Sequence, residues 1–318
     1  MISKFYKIIF VIYVFLYCSS NVFAQDVEKA AETFGTLPEL YNTEISPDGT
    51  KLLMLQNVDG EIIIVTRSLD DLSAPMNGIP SGNGRYDWAR WNSNNEIIAG
   101  IEYTAKTAGG TFFRTVFGMA VLDWKGESAS FIASPAVESK TPLRNLKIVD
   151  ILKDDPDHIL IQIRGSGNRT RGWKRDVYKM NIRTKKMERY HQGVRVIKNW
   201  IADRDHNIRL GLGAVDGFYT SQSRSIAHYR KDTESPWIEL YDFNIKYGLG
   251  YTKENWEEAP FYVEGFTTKP EELYVSKMNK QGRRALYKYN VDSQQFIEEV
   301  ASNDLYDIEA FSFDDDYN

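Results

Sequence analysis

A short strand, a turn rich in Asp and Asn, and a second apolar strand recur five times along this sequence. The hairpin first appears as Asn42 to Ser46, the turn Pro47 to Thr50, and Lys51 to Leu55. It returns as Asp87 to Trp91, Asn92 to Asn95 and Glu96 to Ile101, and again as Leu146 to Leu152, Asp154 to His158 and Ile159 to Ile163. The fourth copy is Lys198 to Ala202, Asp203 to Asn207 and Ile208 to Leu212; the fifth is Phe261 to Phe266, Thr267 to Glu272 and Leu273 to Ser276. Asx-rich and Asp-Gly turns tolerate positive φ and bond their own backbone, so they join antiparallel strands tightly.

Two further strand-like runs follow each hairpin. They are clear as Phe117 to Asp123 with Ala129 to Ala133, as Asp176 to Ile182 with Met187 to Gln192, and as Arg284 to Asn290 with Gln295 to Val300. The repeating unit is therefore four antiparallel strands in about 45–65 residues, a propeller blade lengthened by loop insertions. One four-stranded sheet cannot bury both of its faces, whereas a stack of sheets around an axis can, and it shields most strand edges as well. The predicted fold is all-β: a β-propeller of four-stranded antiparallel blades occupying 41–318, with about five blades and then an opening strand, Asp307 to Phe313. The run Asp314 to Asn318 ends the sequence where each earlier unit continues into an apolar partner strand, so the propeller reads as incomplete. Helical periodicity is confined to Asp26 to Thr33 and Lys253 to Glu258.

Residues 1–24 read as an export signal. Lys4 and Lys7 form its charged start, and Ile8 to Tyr17 is an apolar run of ten, too short to span a bilayer. Val22-Phe23-Ala24 fits the small-x-small cleavage pattern, so residues 25–40 become the lead-in to the propeller and the product is expected in the periplasm or outside the cell. The single cysteine, Cys18, falls within the signal. Export would leave a chain with neither disulfide, thiolate metal site nor cysteine nucleophile, so stability has to come from a large apolar core. The 19 tyrosines and 7 tryptophans suit β structure. The formal net charge of −5 argues against nucleic acid or an anionic membrane as the main partner, and no segment reads as an integral membrane span.

Four segments resemble the N-terminal propeller of the prolyl oligopeptidase family of serine peptidases, especially its exported bacterial acylaminoacyl-peptidase-like members. They are Phe34 to Glu39 with Ile45 to Gly49, Trp91 to Ile98 (WNSNNEII), Asp155 to Ile161 with Val177 to Asn181, and Trp200 to Asp203 with Asn207 to Arg209. The last is similar to a Trp-x-x-Asp…Gly-x-x-Arg pattern, with Asn207 at the glycine, where positive φ remains tolerable. The resemblance spans about residues 34 to 313. It implies a following α/β-hydrolase domain whose serine sits in a Gly-x-Ser-x-Gly elbow, with Asp and His after it. This sequence contains no such elbow, and Gly165-Ser166-Gly167 lacks the spacing. The resemblance therefore implies a substrate-gating propeller that catalyses nothing itself, with a peptide substrate or a catalytic hydrolase domain as its partner. The alternative is a free-standing periplasmic propeller that binds a protein or peptide.

No catalytic, cofactor or metal residue is assigned from the sequence. His158, His191, His206 and His228 have no accompanying nucleophile. The string Asp203-x-Asp205-x-Asn207 has calcium-type ligands at alternate positions, yet lacks the glycine and distal glutamate of an EF-hand loop, and turn chemistry accounts for it. The resemblance supplies one substrate-contact candidate, Trp256-Glu257-Glu258, because dipeptidyl-peptidase relatives hold a substrate's amino terminus with a glutamate pair. The polar insertions Thr104 to Thr115 and Gly165 to Arg175 are further candidate recognition surfaces.

Overall fold

The computed structural model describes residues 39–106, 112–133, 146–164, 174–215, 223–245 and 256–313, together with 35 and 110. The signal segment, Asp26 to Thr33, most of the Gly165 to Arg175 insertion and Asp314 to Asn318 lie outside them. The described residues form five four-stranded antiparallel sheets, each a meander of strands consecutive in sequence. This is the blade unit expected from the repeat. The first sheet is β1 (Leu40–Ile45), β2 (Lys51–Val58), β3 (Glu61–Ser68) and β4 (Asn77–Ile79), and the second is β5 (Arg85–Trp91), β6 (Glu96–Lys106), β7 (Phe113–Asp123) and β8 (Ala129–Ala133). The third holds β9 (Leu146–Ile151), β10 (His158–Arg164), β11 (Arg175–Asn181) and β12 (Met187–His191); the fourth holds β13 (Ile197–Ala202), β14 (Ile208–Val215), β15 (Ser223–Tyr229) and β16 (Ile238–Ile245). The fifth is β17 (Tyr262–Phe266), β18 (Glu272–Met278), β19 (Arg284–Asn290) and β20 (Gln295–Ala301).

Burial follows position within the sheet. In β18, Glu272 to Ser276 are all buried, whereas all of β20 except Ala301 is exposed. Inner strands have neighbours above and below, so they read as unbroken apolar runs; outermost strands meet solvent. Each fully buried Leu or Ile contributes about 1.5–3 kcal/mol relative to exposure, which is how a chain with one cysteine holds together.

The chain divides into two compact units, 1–131 and 132–318. In the first, Leu53, Leu55 and Ile64 of one sheet pack with Trp91, Ile97 and Leu122 of the next. Polar pins accompany this contact. The Trp91 indole donates to the Glu44 carbonyl (3.1 Å), Asn42 donates to the Ala89 carbonyl (3.0 Å), and the Thr66 hydroxyl donates to the Trp124 carbonyl (2.6 Å).

In the second unit, Leu160 and Val177 of the third sheet pack against Ile197, Trp200 and Ile208 of the fourth. Leu210 and Tyr229 of the fourth pack with Leu273, Val275 and Tyr289 of the fifth. Gln162, 1% exposed, bridges the first of these contacts: it accepts from the Trp200 backbone N–H (3.0 Å) and donates to the Lys198 carbonyl (3.1 Å).

The structure departs from the sequence reading in four places. Asp307 to Phe313, expected as an opening strand, carries no strand. It lies on the fifth sheet through one backbone hydrogen bond, from the Ile308 N–H to the Arg284 carbonyl (3.1 Å), and through side chains, without the run of bonds that makes a ladder. Phe313 stacks on Tyr274 (4.7 Å), Arg284 sits 5.1 Å over the Phe311 ring, and the Arg284 N–H donates to Asp307 (2.8 Å). Within the described residues, the two ends of the Thr104 to Thr115 insertion are ladder rather than loop, since Thr104 pairs with Thr115 and Lys106 with Phe113. Lys253 to Glu258 reduces, within the described residues, to one 3-10 turn at Trp256–Glu258. In the fourth hairpin, positive φ falls on His206 (φ 65), one residue before Asn207.

Candidate functional site

The Asp203–Asn207 turn shows what the motif residues do. One Asp203 oxygen accepts the backbone N–H groups of Asp205 (3.0 Å) and Asn207 (2.9 Å), closing the turn. The other accepts from Arg209 (3.2 Å), and the pair is nearly sealed from water, with residues 7% and 8% exposed. Arg209 reaches on to the Tyr229 hydroxyl (2.6 Å) and to the Pro270 carbonyl (3.2 Å), at the turn that leads into β18 of the next sheet. Its guanidinium plane lies over the rings of Tyr229 (5.4 Å) and Phe266 (5.1 Å). The calcium-like string is thus a turn whose first carboxylate is spent on backbone and on an arginine. The Ser46–Gly49 turn is built similarly: Ser46 and Thr50 hydrogen bonds hold the Asp48 carboxyl far below its usual range.

The four histidines are also in structural use. His158 bonds Asp155 (2.8 Å) and Asn181 (3.2 Å) through its two ring nitrogens, and His206 meets Asp150 (2.7 Å). Burial raises the Asp150 carboxyl against the opposing pull of His206. His228 lies 3.7 Å from Glu239. His191 packs edge-on to Trp200 (4.4 Å) and beside Trp237 (5.6 Å); burial, with Arg230 nearby, pulls its pKa down to about 4.

The sequence candidate Trp256-Glu257-Glu258 lies at the entry to the fifth sheet. Its glutamates are exposed, while Trp256 is half-buried and lines a cavity of about 410 Å³. The turn is tethered by Lys277 of β18, whose ammonium donates to the carbonyls of Glu257 (2.9 Å) and Ala259 (2.6 Å). Burial lowers the pKa of that lysine. Tyr287 of β19, Phe296 and Glu299 of β20, and Ser302 and Asp304 of the segment after it line the same cavity. The Glu299 carboxylate accepts from the Tyr287 hydroxyl (3.1 Å) and from Ser302 (2.5 Å). Tyr287 is pushed up to about 12 by burial and by Glu299, so it keeps its proton at neutral pH. Trp256 therefore belongs to a concave site, whereas Glu257 and Glu258 do not line it. The residues missed from the sequence come from three strands and a following segment, and they share no spacing. The one signal was Phe296 with Ile297, apolar residues on an outermost strand and both exposed.

No protein-family model matches the chain, and no curated protein matches it. Solved structures do. The acylaminoacyl peptidase of Pyrococcus horikoshii is 14% identical over 84% of this chain and 39% of its own, with a TM-score of 0.49. The β-propeller domain of the Trilobed protease from Pyrococcus furiosus is 15% identical over 86% of this chain and 76% of its own, with a TM-score of 0.48. Oligopeptidase B from Leishmania major is 8% identical over 80% of this chain and 33% of its own, with a TM-score of 0.45. The chain thus spans about two fifths of the acylaminoacyl peptidase and about a third of oligopeptidase B. The similar structures include propellers of the prolyl oligopeptidase family, the family that the sequence resembles. Repeat and sheet topology agree on the fold: the chain is an all-β protein built of β-propeller blades.

Proposed function

We propose that this chain is the substrate-gating propeller of an exported serine peptidase of the prolyl oligopeptidase type, and that the chemistry is done by an α/β-hydrolase domain outside these residues. The observation that supports the reading is the Asp203–Arg209 pair. The Trp-x-x-Asp…Arg motif that carries the sequence resemblance is used as a buried lock from one blade to the next. A gate has to be stiff, because it discriminates by excluding substrates rather than by reacting with them. The buried Gln162 bridge and the Arg209 lock are features of a rigid scaffold.

The test is to read the gene past codon 318 and to assay its complete product beside the purified 318-residue chain, using an acetylated amino-acid p-nitroanilide. The expected result is a downstream Gly-x-Ser-x-Gly, with hydrolysis by the complete product and none by the chain alone. Turnover by the chain alone would overturn the non-catalytic assignment. A locus without a hydrolase domain would overturn the peptidase assignment and leave a binding propeller of the cell envelope.

A further inference from the structure

From the cavity on the fifth sheet we infer a binding site for a guanidinium group, such as an arginine side chain presented on an extended peptide. The site is complete within one sheet and its flanking segments, so it does not depend on the peptidase reading.

Three aromatic side chains line the cavity: Trp256, Tyr287 and Phe296. Tyr287 and Phe296 meet edge to face at 5.7 Å, an arrangement that fixes both rings. Such rings favour a cation above their faces, and a planar guanidinium gains stacking as well. Two carboxylates, Glu299 and Asp304, line the same space. Glu299 is oriented in advance, since each of its oxygens already accepts one hydroxyl hydrogen. A carboxylate has about four lone-pair sites, so two remain for the fork of a guanidinium.

The lining lysines do not reverse this polarity. Lys277 spends two of its three hydrogens on the carbonyls of Glu257 and Ala259, and its ammonium already lies over the Phe296 ring at 5.7 Å, so Trp256 and Tyr287 are the rings offered to a bound cation. The Lys277 charge therefore holds the Trp256 turn in place and is partly answered by carbonyl oxygens. Lys280 is exposed, where its charge is screened. Glu257 and Glu258 stand exposed on the turn itself and add to the negative field that a cation meets on approach. The volume, about 410 Å³, lies within the range of small-ligand sites and would hold an arginine side chain with part of its backbone.

The experiment uses the purified chain and two probes of nearly the same shape, N-acetyl-arginine amide and N-acetyl-citrulline amide. Citrulline keeps the planar end group and loses its charge. Binding is read from the tryptophan indole N–H signals in a proton–nitrogen correlation spectrum, with Trp256 assigned through Trp256→Phe. The expected result is saturable binding of the arginine probe that moves the Trp256 signal, at least tenfold weaker binding of the citrulline probe, and loss of that difference in Glu299→Gln. Glu299 is exposed, so Glu299→Gln should keep the wild-type circular dichroism spectrum, and Asp304→Asn gives a second reading of the same charge. Equal affinity for both probes overturns the inference, as does arginine binding that leaves the Trp256 signal unmoved or that both charge-removing variants retain.

Discussion

The Arg209 guanidinium lies 3.2 Å from the Asp203 carboxylate in a place almost closed to water, and the same side chain reaches the Pro270 carbonyl of the following sheet. A buried ion pair gains little over an apolar replacement of both partners, but losing one partner strands the other's charge. Arg209→Met should therefore lower unfolding free energy by about 3–5 kcal/mol, and Asp203→Asn by less, because its amide oxygen can still accept the turn's N–H groups. Urea denaturation followed by tryptophan fluorescence checks both. Near-wild-type stability of Arg209→Met would show that the lock carries no weight.

Gln162 makes a narrower prediction. Replacing it by Leu keeps much of its volume but leaves the Trp200 N–H and the Lys198 carbonyl without their buried partner. The expected cost is about 1–3 kcal/mol. Hydrogen exchange at the Trp200 amide should speed up with it, and an unchanged exchange rate would mean that another group takes the bond.

His191 sets a pH dependence. Its pKa is held down to about 4, against an ordinary 6.5, and its Nε2 has no hydrogen-bond partner. The unfolded chain then binds a proton that the folded chain refuses, so stability is lost as pH falls from about 6.5 toward 4, by at most about 1.4 kcal/mol per pH unit from this group. His191→Phe keeps an aromatic ring beside Trp200 and removes the proton site. The wild type should lose stability relative to this variant across that window, and parallel stability curves for the two would refute the assignment.

Two glycines should respond differently to a single methyl group. A Cβ at Gly213 would lie 2.3 Å from the Val196 carbonyl oxygen, which is backbone and cannot swing aside. At Gly265 the nearest atom, at 2.8 Å, belongs to the Phe313 ring on the segment that crosses the fifth sheet. Gly213→Ala should cost about 1–3 kcal/mol, as overpacking does, while Gly265→Ala should mainly dislodge Phe313. Thermal unfolding ranks the two, and loss of ring-current shifts at Tyr274 reports the second.

The blades were legible because their cause is local. Asx turns and the apolar runs beside them, such as Asp203 to Asn207 followed by Ile208 to Leu212, carry their own geometry, and the five sheets follow. The opening strand at Asp307 to Phe313 was misread because an apolar run is a strand only when a partner supplies a continuous ladder; here Arg284 supplies a single backbone bond, to Ile308, and the other contacts involve side chains. The cavity was barely legible. Trp256 entered only as the neighbour of the Glu257-Glu258 pair that the resemblance singled out, and Lys277, Tyr287, Phe296, Glu299 and Asp304 meet only after β18, β19 and β20 have paired, and pairing register cannot be read from spacing. Asn207 was credited with the positive φ that the turn gives to His206, a one-residue error within a motif otherwise read correctly.

Every described sheet pairs only strands that follow one another along the chain. None of the five has to wait for a distant segment to supply its ladder. Loop-closure entropy is then small at each step, and such local pairing is fast compared with folds that join remote strands. A chain emerging N-terminus first, from a ribosome or from an export channel, would free each blade with its full set of ladder partners, so the order of emergence can serve as the order of folding.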